Sequence, residues 1–395
     1  MPFFSHVPLA PPDPILGLSA AFAADPKKQK VNLGVGLYKN ADLKTPILPS
    51  VKEAEMYLLS SEQSKEYLPI DGYRLFIDKV GEMIFGASFW ASQQERISGF
   101  QTVGGTGALK VGGSFLREEV NHPILISEPT WPNHRGVFSH CHLQVRSYPY
   151  YQISSHTPEI DQMIEFLKQQ AEGAIVLLHA SCHNPTGKDP TFDEWKSILE
   201  IIQRRKLLPF FDCAYLGFGQ GVEEDARAIR LFAEAGCELL IAFSAAKNFS
   251  LYGERVGALY IVSENQTTAQ HVTSRVKQLI RTNYSNPPIH GAGIVRYILN
   301  TAAAKTKWMG ELQEMRQRIS EMRQRLSSKL PHQRFQHLKE GFGMFCFTGL
   351  DQAQVEKLKR EFGIYMPPDG RINVCGLNQN NIEYVVQSIE RAIES

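Results

Sequence analysis

Short apolar runs alternate with helical periodicity along most of the chain. From about residue 98, "ISGFQTV" runs into "GGTGALKVGGSFLREEV", "HPILISE" leads to "PTWPNHRGVFSH", and "GAIVLLHAS" leads to "CHNPTGKDPTFDEWKSILEIIQRRK". "LLPFFDCAY" precedes "LGFGQGVEEDARAIRLFAEAG", and "ELLIAFS" precedes "AAKNF", after which "VGALYIV" reads as another strand. Strands separated by helices predict a mostly parallel sheet with crossover helices on its faces. A long polar helix pattern follows, from about Ala302 to Leu330. Beyond it, "FQHLKEGFGMFCFTGL", "QAQVEKLKREFGIYM" and "RINVCGL" predict a unit of strand, helix and strand. The fold class is therefore α/β: a large domain over residues 41–305, and a smaller α+β domain built from 16–40 and 306–395. The seam between them is a natural cleft. Residues 1–15, rich in proline and apolar side chains, form an arm with no core of its own, suited to packing on a neighbouring subunit.

Composition narrows the function classes. The chain has 395 residues, 43% hydrophobic and 21% charged, an ordinary globular balance. Lys plus Arg number 42 and Asp plus Glu 41, for a net charge of +1, so there is no general attraction for nucleic acid or an anionic membrane. Any bound anion must be held by a local site. Six cysteines without a CxxC pair read as reduced thiols, and no metal site is expected. The N-terminus lacks the charged and apolar regions of a signal peptide, and no apolar run approaches the about 18 residues of a membrane span. These features predict a cytoplasmic protein.

The chemistry gathers at the ends of the expected strands, where open parallel sheets bind their ligands. In order these ends carry Gly104-Gly105-Thr106-Gly107, Pro129-Thr130-Trp131, Asn184-Pro185-Thr186-Gly187, Asp212-Cys213-Ala214-Tyr215, and Ser244 with Lys247. The glycine turn opens a helix and offers backbone N–H groups to an anion, although glycine there could equally serve only the turn's dihedrals. Arg255 and Ser244 could join that anion, most naturally a phosphate monoester. Asp212 closes the run "LLPFF", and a carboxylate there needs a partner: a structural Arg or a protonated ring nitrogen. Tyr215 and Asn184 can hydrogen-bond a phenolate oxygen, and Trp131 offers a stacking face. Lys247 stands where an apolar run stops, and desolvation near other cations depresses an amine's pKa. Together the groups describe a heteroaromatic cation with a phenolic oxygen, an aldehyde and a phosphate, which is pyridoxal 5′-phosphate.

The segments "VNLGVGLYKN", "GGTGAL", "EPTWPNH", "HASCHNPTG", "DCAYLGFGQG", "SAAKNFSLYGERVGAL", "IRTNYSNPPIHG" and "GRINVCGL" resemble the fold-type I, class I aminotransferases, in the aspartate and aromatic amino acid subgroup. The resemblance covers nearly the whole chain. It implies that Lys247 forms the Schiff base and moves the substrate Cα proton, that Asp212 pairs with the pyridine nitrogen, and that Tyr215 and Asn184 hold the 3′-oxygen. It further implies that Trp131 stacks on the ring, with His134 and His179 behind Asp212. Gly105, Thr106, Ser244 and Arg255 would hold the phosphate, joined by the partner subunit's Tyr67. Arg371 would grip the substrate α-carboxylate, the partner subunit's Arg281 would take a side-chain carboxylate, and the backbone of Gly36 would approach the substrate. The planar guanidinium matches a carboxylate with two parallel hydrogen bonds.

The expected activity is transamination by a ping-pong cycle between an L-amino acid and 2-oxoglutarate, in a homodimer. Aspartate is the first donor and tyrosine or phenylalanine the second: Leu37 leans toward aromatic substrates, while Thr45, Thr106 and Asn286 lean toward aspartate. Ala245 and Ala246 replace bulkier or hydroxylated residues usual before the lysine. The alternatives are a β-lyase or decarboxylase on the same scaffold, and a non-catalytic binding protein. Retention of Lys247, Asp212 and Arg371 together argues against the last.

Overall fold

Seven strands form the central sheet: β1 (Ile97–Val103), β2 (Ile124–Glu128), β3 (Val145–Pro149), β4 (Ile175–His179), β5 (Leu208–Cys213), β6 (Leu239–Ser244) and β7 (Val256–Val262). They belong to a computed structural model that describes residues 2–9, 16–330 and 332–394. Residues 1 and 10–15 of the expected arm lie outside the described residues; within 2–9, Phe3, Phe4, Val7 and Leu9 are exposed. The spatial order of the strands is β1-β7-β6-β5-β4-β2-β3. All run parallel except β7, which is antiparallel to both β1 and β6.

Both faces of the sheet are covered, which is why its strands read as continuous apolar runs. Successive residues alternate between two cores: Phe210, Leu240 and Leu259 enter one, and Phe211, Ile241 and Tyr260 enter the other. Burying each such side chain is worth about 1.5–3 kcal/mol. The helix Gly104–Glu119 lies directly on the first face; a Cβ at Gly112 would stand 2.8 Å from the Phe210 ring. On the other face Phe192–Arg204 begins with a capping box, in which Thr191 Oγ1 accepts the Glu194 N–H and the Glu194 carboxylate accepts the Thr191 N–H.

The reversed direction of β7 matters for function. Its amino end lies at the same edge as the carboxyl ends of the other strands, with Val256 opposite Val103. Arg255 is thereby delivered beside the start of the Gly104 helix.

The C-terminal portion begins with the helix Ala302–Lys329. Two short strands, Phe345–Phe347 and Arg371–Asn373, pair antiparallel with Phe347 opposite Arg371. Val31–Asn32 pairs parallel with Ile364–Tyr365, so the early segment lies against the end of the chain. Asn373 Nδ2 donates to the carbonyls of Val35 and Leu37, tying the Gly36 backbone to the Arg371 strand. The stretch read as "FQHLKEGFGMFCFTGL" is not one strand. Gln333–Glu340 is a 3₁₀ helix, and Gly343, in a left-handed conformation with φ +68°, lies in the turn between it and the strand that begins at Phe345.

Candidate active site

A cavity of about 400 Å³ opens at the carboxyl edge of the sheet. Gly36, Gly105, Thr106, Trp131, Asn184, Asp212, Tyr215, Ser244, Lys247, Arg255 and Arg371 all line it. They come from seven separate chain segments, brought together by the strand order.

One end of the cavity is built for an anion. Gly104 and Gly105 open a 16-residue helix whose first N–H groups have no intrahelical partner. The backbone approach is tight: a Cβ at Gly104, where φ is +68°, would lie 2.5 Å from Arg255 Nη2, and one at Gly105 would lie 2.9 Å from Ser244 Cβ. Arg255 itself has φ +54°, an uncommon conformation for a residue with a side chain. The fold thus accepts a strained arginine to place a guanidinium beside a helix N-terminus.

The opposite end holds a carboxylate oriented by a hydrogen-bond chain. The Asn184 N–H donates to His179 Nδ1 at 3.3 Å, leaving His179 Nε2 to donate to Thr130 Oγ1 at 3.3 Å. Thr130 then donates to His134 Nδ1 at 2.8 Å, and His134 Nε2 donates to Asp212 Oδ2 at 2.9 Å. Burial pushes the His179 pKa down to about 3, so the imidazole stays neutral and its tautomer is fixed by its two neighbours. For Asp212, burial works to raise the pKa. The hydrogen bond from His134, followed by the electrostatic influence of His134, His179 and Lys247, outweighs burial and leaves the carboxyl below its ordinary value.

Between these ends lies the Lys247 amine, 5.0 Å from the centroid of the Tyr215 ring. Burial lowers its pKa; Asp212 opposes that shift and Arg255 adds to it. Burial raises the Tyr215 phenol, which therefore remains protonated, and its oxygen accepts Asn184 Nδ2 at 3.3 Å. Arg371 is 3% exposed, with its guanidinium 5.7 Å from the Phe345 ring centroid and Nη1 donating to Asn184 Oδ1 at 3.5 Å. Its Nε is buried without a hydrogen-bond partner among the described residues. A desolvated donor of that kind is costly until an acceptor arrives, and a substrate carboxylate supplies one.

These features fit pyridoxal 5′-phosphate. The glycine-lined helix start with Arg255 suits a phosphate, the depressed Asp212 carboxyl suits a protonated ring nitrogen, and the desolvated Lys247 amine suits an aldehyde.

Two expected residues lie elsewhere. Tyr67 is 92% exposed and Arg281 is exposed, donating to Ser285 Oγ; neither lines the cavity. Conversely, the cavity includes Tyr252 and Phe345, which the strand-end reading did not single out. Tyr252 accepts the Tyr38 N–H at 2.8 Å and so ties the turn after Lys247 to the segment carrying Gly36. Its position inside "SLYGER", five residues after the lysine, was the available signal. The bridging role of Thr130 was also missed, although "EPTWPNH" already placed it near His134.

A cavity that pairs a desolvated amine with a fixed carboxylate and an open carboxylate fork defines an enzyme acting on amino or oxo acids. The family described as Aminotransferase class I and II matches residues 28–389, and the chain belongs to that family. The chain is 44% identical to the aspartate aminotransferase of Escherichia coli (strain K12), over 98% of this chain and 99% of that one. It is 43% identical to the aromatic-amino-acid aminotransferase of the same organism, over 95% and 96%. Among solved structures, the aromatic-amino-acid aminotransferase from Burkholderia pseudomallei covalently bound to pyridoxal phosphate superposes with a TM-score of 0.96. It is 43% identical, over 99% of this chain and 100% of that one.

Proposed function

We propose that the chain moves an amino group from L-aspartate to 2-oxoglutarate, with tyrosine and phenylalanine as second-choice donors. As a member of its family the chain is an aminotransferase, and its cofactor is pyridoxal 5′-phosphate. The observation that carries the substrate class is Arg371, buried in the cavity wall with an unpartnered Nε beside Asn184.

When bound, the cofactor supplies an aldehyde for the amino group and a ring that takes up the electron pair left at the substrate Cα. The chain's residues do the rest. Gly105, Thr106, Ser244 and Arg255 would hold the phosphate, and Trp131 would offer its face to the ring. Asp212, kept ionised and aimed by His134, accepts the hydrogen bond of the ring N–H. Tyr215 and Asn184 orient the phenolic oxygen. Lys247, whose pKa is lowered by burial, removes the proton from the substrate Cα and returns it on the far side of the exchange. Arg371 holds the α-carboxylate so that the Cα–H bond faces that amine. The segments 16–40 and 306–395 act as a smaller domain that closes over the substrate and excludes water.

Both donor classes are represented among the relatives, and Leu37 lines the cavity on the side of Gly36. Steady-state kinetics with each donor and 2-oxoglutarate are expected to give a higher kcat/KM for aspartate than for tyrosine. A severalfold preference for tyrosine would reverse the ranking.

The working form is a homodimer in which the partner's Tyr67 reaches the phosphate and the partner's Arg281 receives the second carboxylate. The support is that both side chains are exposed on one chain, together with Phe3, Phe4 and Leu9 of the arm. Light scattering is expected to give twice the chain mass of 44.5 kDa. A fully active monomer would contradict this. The cytoplasm is the proposed compartment. Its support is the six cysteines, none in a disulfide, and a 45% identical relative from Oryza sativa subsp. japonica named as cytoplasmic. No helix among the described residues is long and apolar enough to cross a membrane.

A further inference from the structure

Arg323 lies in the helix Ala302–Lys329, outside the cavity, and is 2% exposed. A buried guanidinium needs acceptors for its donors, and a carboxylate is the usual choice. Here the acceptors are backbone carbonyls. Nε donates to Gly343 O at 2.9 Å, Nη1 to Leu338 O at 3.0 Å, and Nη2 to Phe342 O at 3.0 Å and to Phe345 O.

The same guanidinium lies against the turn that carries Asn184. A Cβ at Gly187, where φ is +65°, would stand 2.5 Å from Arg323 Nη2 and 2.4 Å from Phe345 O. A Cβ at Gly341 would stand 2.8 Å from Arg323 Nη1 and 2.8 Å from Gly187 O. The Gly187 carbonyl accepts the Phe342 N–H at 2.7 Å, and the Gly187 N–H donates to His183 O at 2.7 Å. Only glycine leaves room for the side chain at these two positions. The guanidinium thus ties together the carbonyls of residues 338–345 and packs against Gly187 of the Asn184–Gly187 turn, which those residues hold through the Phe342 N–H.

Each segment leads to a group in the cavity. The turn begins at Asn184, and Phe345–Phe347 pairs with Arg371–Asn373. The two meet where Arg371 Nη1 reaches Asn184 Oδ1. We propose that Arg323 is a positioning residue for substrate carboxylate recognition: its carbonyl clamp sets the spacing between Asn184 and Arg371. The inference rests on the assignment of Arg371 to the substrate α-carboxylate.

Lysine at this position keeps the charge but loses the planar fork that serves several carbonyls at once. In the holoenzyme, Arg323→Lys is expected to weaken binding of succinate, a non-reacting dicarboxylate, about tenfold by calorimetry. KM should rise in parallel while kcat at saturation stays within about threefold, because the fork binds ground state and transition state alike. Gly341→Ala crowds the same guanidinium without removing it and should shift affinity in the same direction. Arg325→Met, at a half-buried position of the same helix outside the clamp, should change neither quantity. Unchanged succinate affinity in either folded variant overturns the proposal. So does failure of both to accumulate as folded protein, which would make Arg323 an element of stability alone. Arg371→Ala separates the two readings. If it leaves succinate binding intact, the Arg371 assignment fails; if it abolishes binding while Arg323→Lys does not, only the positioning role fails.

Discussion

Replacing Lys247 by alanine is expected to lower kcat for aspartate and 2-oxoglutarate by about 10⁴-fold, the upper range for losing a positioned general base. The structure explains why no neighbour can substitute. Lys247 is the only lysine lining the cavity among the described residues, and its amine lies between the phosphate-binding end and the Asp212 end. The other bases nearby are committed. His134 is hydrogen-bonded to Asp212 and Thr130, and burial keeps His179 neutral between Thr130 and Asn184. The variant should fold, because removing a desolvated amine from the cavity relieves a burial cost rather than breaking a hydrogen bond. Single-turnover rates with a soluble, thermally stable Lys247→Ala protein are the check. A loss below about tenfold would show that another group moves the proton.

The second large effect is at Asp212. Asp212→Asn is expected to lower kcat by about 10²–10³-fold, the range for removing one preorganised electrostatic contact. Asparagine can still accept the His134 hydrogen bond, so the loss reports charge more than geometry. The pH dependence has a defined sign. The folded pKa lies below the ordinary carboxyl value, so Asp212 contributes stability above about pH 4 and loses it as pH falls further through the folded pKa. The Asp212→Asn protein should therefore lack that part of the parent's acid destabilisation. Thermal unfolding of both proteins between neutral and acid pH measures the difference; identical acid profiles would remove Asp212 from this role.

Much of this site was legible because parallel sheets expose their ligand-binding groups at strand ends. Lys247 follows β6 by three residues and Asp212 is the penultimate residue of β5, so apolar runs alone locate both. Other features needed the folded chain. The reversal of β7 could not be read from "VGALYIV", since a run buried on both faces looks the same in either direction, yet that reversal is what brings Arg255 to Gly104. Arg323 sits in a polar helix pattern, where an arginine reads as surface charge, and its acceptors are carbonyls 15 to 22 residues away. The Thr130 bridge depends on two histidines 4 and 49 residues from it in sequence. Tyr67 and Arg281 fall outside the single-chain cavity, and their assignment rests on the dimer.

The central claim is that the Lys247 amine is the attachment point of the cofactor, facing Asp212 across the same cavity. Borohydride treatment of the purified holoenzyme, followed by peptide mapping, tests it most directly. The account predicts one stable pyridoxyl group, carried by Lys247, and its loss when aspartate is added before the reductant. A pyridoxyl group on another lysine, or its absence from a fully active preparation, would contradict it.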